Sequence, residues 1–263
     1  MRHGRIVIGL GAGHASVVHL ESGWKSPVVQ LKKIALPHDA SDFDGMVGAI
    51  ADSLESLTRR VRVEVVLSSC WARFALLPPS GELRTESERL DLTQHIFDRQ
   101  YGSLASGWSL LVDSSASGET ALACGIPIGL LESLRRGLAG MGRLVSIRPK
   151  FMDVFNIVCR SIGPVSEYLA MNEPGRLTLA EVKQGRWLSI SSRAVAPGDG
   201  SALSHLLKER NALRRESVGG RLWLYDPCGG MNPPDEKCWS VSPIPRIPYL
   251  DEASGVSTQG TVA

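Results

Sequence analysis

One succession of elements, three short strands, then a helix, then a further strand, can be read twice along the chain, and no other feature limits its fold so sharply. In the second copy, residues 167–195 read as a three-stranded antiparallel meander. Pro174 and Gly175 suit a type II turn, which wants a fixed φ and then a positive φ, and Gln184-Gly185 offers a second tight turn. Leu177, Leu179 and Ala180 or Val182, then Trp187, Leu188 and Ile190, supply the apolar positions. Such a meander is marginal alone and needs a partner layer. Residues 201–213 provide a helix with Leu203, Leu206, Leu207 and Leu213 at helical spacing, and residues 221–225 the closing strand.

The first copy has the same order. Residues 5–10, 15–20 and 28–35 read as strands separated by Gly11-Ala12-Gly13 and Glu21-Ser22-Gly23. The helix at 43–61 carries Phe43, Val47, Ile50, Leu54, Leu57 and Val61 on one face and Asp52, Glu55, Arg59 and Arg60 on the other, with Asp42 or Ser41 as its cap. Residues 63–68, β-branched and apolar, suit a strand buried on both faces.

Between the copies, residues 70–77 predict a strand ended by Pro78-Pro79, and residues 86–101 a helix burying Leu90, Ile96, Phe97 and Tyr101. Residues 108–113 and 119–125 form a hairpin across the polar turn 114–118, followed by a helix at 129–141, a strand at 144–147 and a helix at 150–162. Beyond Tyr225 the pattern fades into a Pro/Gly-rich segment and then a small, polar tail from Asp251 that composition marks as disordered.

A chain of 263 residues with 43% hydrophobic and 21% charged residues and a net charge of +2 has no global electrostatic reason to bind nucleic acid. Its apolar runs are too short to span a bilayer, and the start lacks a signal-peptide core, which predicts a cytoplasmic protein. Of the five cysteines, Cys124 and Cys159 sit among apolar neighbours, whereas Cys228 and Cys238 flank a Gly/Pro-rich loop and are the one pair that could join under oxidation. No Cys-x-x-Cys knuckle is present, so no metal site is expected.

Two βββαβ units with helical insertions resemble the duplicated ribonuclease H-like architecture of the actin-like ATPase superfamily. Ser68-Ser69-Cys70-Trp71-Ala72-Arg73-Phe74, Phe97-Asp98-Arg99-Gln100-Tyr101-Gly102, Leu122-Ala123-Cys124-Gly125-Ile126 and Glu173-Pro174-Gly175-Arg176-Leu177-Thr178-Leu179 are similar to the cytoplasmic regions of type II secretion protein L and to the type IV pilus protein PilM. The resemblance implies an α/β fold of two lobes, at 1–148 and 149–226, with 227–263 as a loose C-terminal segment. It also implies a scaffold that lies peripherally at the inner membrane and docks on a pilus or secretion protein through that partner's cytoplasmic peptide. An assembly ATPase and a second copy of the chain are further partners it admits.

The same resemblance raises ATP and magnesium as cofactors, with Gly11 and Gly13 in the first lobe and Glu173, Gly175 and Thr178 in the second as a vestigial nucleotide site. Clustered backbone amides suit phosphate because their dipoles converge. The first turn, however, has no carboxylate, the usual lysine is missing, and Pro174 removes an amide donor. The expectation is therefore a protein without ATPase activity, a nucleotide-binding ATPase switch being the alternative. A ribonuclease H-type nuclease needs an acid within the first strand, where Ile6-Val7-Ile8 stands, and Glu181 is alone in the second meander. Gly9, Gly11 and Gly13 lack dinucleotide-fingerprint spacing. His14, His19, His95 and His205 form no ligand pair, Asp113-Ser114-Ser115 reads as a hairpin loop, and Lys208, Arg210, Arg214, Arg215 and Arg221, interleaved with Glu209 and Glu216, as a solvated face.

Overall fold

The structure is a computed structural model that describes residues 4–21, 28–37, 39, 41–54, 61–79, 85–113, 119–196, 198–214, 220–232, 234 and 238–247. Strands β1 (Arg5–Leu10), β2 (His14–Glu21) and β3 (Val28–Ala35) pair antiparallel in sequence. Helix α1 (Phe43–Leu54) then crosses over to β4 (Arg62–Leu67), which runs parallel to β1. Asp42 starts the helix, its Oδ1 accepting the Gly45 amide at 2.8 Å. The helix was expected to reach 61; Leu57, Arg59 and Arg60 lie outside the described residues, and Val61 stands beyond the described helix, buried.

An insertion follows β4. Strand β5 (Arg73–Leu77), helix α2 (Glu86–Tyr101), β6 (Trp108–Val112) and β7 (Ala121–Pro127) build a three-stranded sheet of order β5-β7-β6. β5 starts three residues later than expected because residues 68–71 turn, the Trp71 amide reaching Ser68 O at 3.0 Å. Thr85 and Glu88 form a reciprocal capping box on α2. Phe97 is fully buried on that helix, but Leu90, expected inside, is 39% exposed; its place is taken by Thr93. Helix α3 (Ile128–Gly137) leads to β8 (Arg143–Pro149), which completes a five-stranded sheet of order β3-β2-β1-β4-β8.

After helix α4 (Lys150–Val158) the pattern repeats: β9 (Ser166–Glu173), β10 (Arg176–Lys183), β11 (Arg186–Ala194), helix α5 (Ala202–Arg214), β12 (Gly220–Tyr225) and β13 (Trp239–Pro243). The second sheet has the order β11-β10-β9-β12-β13, with β12 parallel to both β9 and β13. Position for position this is the order of the first sheet, so the repeat read from sequence is an internal duplication in three dimensions.

Alternation along β9 and β10 decides which layer each face meets. Tyr168, Ala170, Leu177 and Leu179 pack with Leu203, Leu206 and Leu207 of α5. Leu169, Met171, Ala180 and Val182 join instead a core that runs continuously through Phe151, Val154 and Val158 of α4 to Ile6, Val65 and Val66 of the first sheet. The lobes therefore share one apolar interior, with Trp187 of β11 packed against Phe155 at 4.4 Å between centroids, the rings tilted by 41°. Glu64 receives both Arg5 and Arg148 at 2.7 Å, and Arg148 also holds Asp153, which fixes β1, β4, β8 and α4 against one another.

Two expectations for the C-terminal segment need correction. The region past Tyr225 is not wholly irregular: β13 lies in it, and Trp239, Ile244 and Ile247 are buried. Nor can Cys228 and Cys238 pair. β12 and β13 are parallel, Gly220 facing Trp239, so Cys238 stands beside the start of β12 while Cys228 follows its end. At about 3.3 Å per residue the two are on the order of 20 Å apart, against the roughly 7 Å between Cα atoms that a disulfide can span. The tail from Asp251 lies outside the described residues.

Candidate functional site

Duplication places the β1–β2 turn of one lobe opposite the β9–β10 turn of the other, with a cleft between them. A cavity of about 100 Å³ there is lined by residues 9–14, Val66, Ser68, Lys150, Glu173 and Pro174. Beside it, on the second lobe, a space of about 360 Å³ is lined by Asn172, Glu173, Gly175, Val195, Asp199 and residues 228–231, among others. Gly11, Gly13 and Glu173 thus meet in the first cavity, and Glu173 and Gly175 line the second. Thr178 lines neither. It is fully buried, its hydroxyl on Ser192 Oγ at 3.1 Å, because its place on β10 turns it toward β11.

Several polar groups at this cleft are held by the protein itself. Gly11 donates its amide to His14 O at 2.9 Å, closing the β1–β2 turn, and its carbonyl accepts Trp71 Nε1 at 2.7 Å. Neither Gly11 nor Gly13 has positive φ; Gly175 does, at 78°, as its turn requires. Glu173 reaches across from β9, accepting the Ser69 amide at 2.8 Å and lying 3.9 Å from Lys150 Nζ, with both side chains buried. Asp226, just after β12, accepts the amides of Gly229, Gly230 and Met231 at 2.8–3.1 Å and Asn172 Nδ2 at 2.9 Å. Burial alone would raise its pKa, but those four donors outweigh it and hold the carboxyl below its ordinary value.

His14 Nε2 is buried without a hydrogen-bond partner among the described residues. Burial first, then Lys33 and Lys150, lower its pKa, so the ring faces the cavity neutral. Cys70, beside Ser68, is pushed up to about 11 by burial and stays a thiol.

Lys150, His14, Ser69 and Asp226 were not singled out for this site from sequence. For Lys150 a signal existed: a lysine in the first helical turn opposes the helix dipole and calls for a nearby anion. For Asp226 the cue was the Gly229-Gly230 pair just past the strand that ends at Tyr225.

No family model matches the chain, and no curated protein matches it in sequence. Solved structures do. A Bacteroides thetaiotaomicron protein of unknown function described as having an actin-like ATPase fold superposes with a TM-score of 0.58 at 14% identity, over 85% of this chain and 82% of that one. The chain has the actin-like ATPase fold. The cytoplasmic domain of EpsL, an inner-membrane component of the Vibrio cholerae type II secretion system, also gives 0.58 at 14% identity, over 95% and 93%. A PilM–PilN type IV pilus biogenesis complex gives 0.55 at 13%, over 86% and 81%. These likenesses agree, at the level of the fold, with the resemblance read from the sequence.

The actin-like fold raises the question of ATP and magnesium, and the residues present do not fit a triphosphate. The Gly229, Gly230 and Met231 amides are spent on Asp226 and the Ser69 amide on Glu173, so two carboxylates stand where added negative charge would have to go. Among the described residues no group of three or more His, Cys, Asp or Glu side chains could hold a metal ion, and no helix is long and apolar enough to cross a membrane.

Proposed function

We propose that the chain is an assembly component of a type IV pilus or type II secretion-like machine, without ATPase activity, that docks an extended peptide of an inner-membrane partner. The observation that carries this reading is a groove at the junction of the insertion and the first lobe. Two sheet edges line it: β6, at the rim of the three-stranded sheet, and β8, at the rim of the first five-stranded sheet. The groove, of about 440 Å³, is lined by Leu111, Ile126, Leu131, Leu144 and Ile147, with Arg135 among them. Leu111 is 66% exposed.

A strand edge presents unpaired amides and carbonyls that accept a further strand, and flanking apolar residues select alternate side chains of the incoming peptide. The likeness to the cytoplasmic domain of EpsL and to PilM, solved in a complex with PilN, supports this class of machine and of partner. A site on the cytoplasmic face of the inner membrane follows from the same reading.

Fluorescent peptides copying the cytoplasmic segments of inner-membrane proteins encoded beside this chain provide the test. One of them binds the wild type saturably, and Leu111→Glu, at an exposed position, weakens it by about tenfold or more while leaving the melting temperature unchanged. Equal binding by Leu111→Glu, or no binding by any such peptide, contradicts the reading.

A further inference from the structure

We propose that Glu173 is an intramolecular ligand: its carboxylate fills an anion site built by the rest of the molecule and so clasps the two lobes in the place where a bound anion would otherwise join them. Such a clasp deepens the account of the cleft given above and is independent of the β6–β8 groove.

The receptor consists of the Ser69 amide, 2.8 Å from one carboxylate oxygen, and Lys150 Nζ, 3.9 Å from the other. Lys150 begins α4, whose preceding Pro149 offers no side-chain cap, so the positive end of the helix dipole adds to the ammonium. Beside them the Ser69 hydroxyl, 1% exposed, has no hydrogen-bond partner among the described residues. Amide, ammonium and helix terminus all favour an anion, and their burial makes an empty site costly.

The plug is as rigid as the receptor. Glu173 ends β9, and the turn after it is fixed by Pro174 and by Gly175 in the left-handed region at φ 78°. Along the chain it stands 104 residues from Ser69, so a single carboxylate closes the cleft between the β4–β5 turn and the second lobe. A glutamate that looks in sequence like the acid of a phosphate loop is therefore a resident replacement for phosphate, and the receptor becomes available only when the carboxylate leaves.

Removing the carboxylate from the full chain tests this, with inorganic phosphate as the probe and chloride at equal ionic strength as the control. The wild type keeps its melting temperature with either salt. Glu173→Ala melts roughly 6–10 °C lower, and phosphate restores much of that loss saturably, whereas chloride does not. The double variant with Lys150→Met gains nothing from phosphate. Glu173→Gln keeps the shape of the plug but not its charge; it folds, melts below the wild type and does not respond to phosphate, because the carboxamide still fills the site. Wild-type stability of either Glu173 variant, or equal phosphate effects on the wild type and Glu173→Ala, would overturn the proposal. Peptide binding in the β6–β8 groove stays intact in Glu173→Gln, which separates this test from that of the proposed function.

Discussion

At Gly11 an added Cβ would lie 3.2 Å from His14 O and 3.3 Å from the His14 ring, whereas at Gly13 it would meet nothing within 4 Å. Gly13→Ala is accordingly neutral, within about 0.5 kcal/mol by chemical denaturation. Gly11→Val pushes His14 aside, loosens the turn that Trp71 is bonded to, and lowers stability in the absence of any nucleotide. Asp226 gives a pH dependence of definite sign. Its folded pKa is lowered from 3.8, so its stabilisation is fully present above that value and is lost as the pH falls through the folded value. Melting temperatures of wild type and Asp226→Asn should differ most near neutrality and converge in acid; a constant gap would show that the charge is not what matters. At this scale sequence showed where the turns were but not what they held. Gly175 was legible because a type II turn demands its φ. The partners of Glu173 were not, since Ser69 and Lys150 are brought to it only by the packing of two lobes.

Elements with a strong period were readable one by one. α2 begins and ends as expected because a capping box marks its start and Gly102, at φ 65°, its end. β13 escaped notice: five residues long, with one β-branched residue and a terminal proline, it carries too little pattern to be told from a loop. It nonetheless closes the second sheet, and Trp239 packs edge-on against Tyr168 at 5.1 Å. Trp239→Ala should cost about 3–5 kcal/mol in denaturant unfolding, and a chain ended at residue 237 should lose cooperative unfolding altogether. Retention of a sharp transition by the truncated chain would mean that the second lobe does not need its fifth strand. Of the basic cluster, Lys208 and Arg221 are exposed and Arg210 is half-buried, with Arg221 over the Trp223 ring, while Glu209 pairs with Arg193 of β11 at 2.6 Å. Arg215 and Glu216 lie outside the described residues, as does the side chain of Arg214.

For the molecule as a whole, duplication was the legible part, because a repeated order of elements survives without any sequence likeness between the copies. What the cleft does was not legible, since it depends on side chains 104 residues apart meeting across the lobes. Two sheets of the same strand order share one core, and the Glu173 carboxylate joins the second lobe to the β4–β5 turn of the first. On the proposed reading, partner binding at the insertion edge is independent of nucleotide. Calorimetric titration of the wild-type chain with ATP and magnesium tests that claim most directly. The account predicts no saturable heat and an unchanged melting temperature; saturable binding in the micromolar range, with a matching rise in melting temperature, would contradict it.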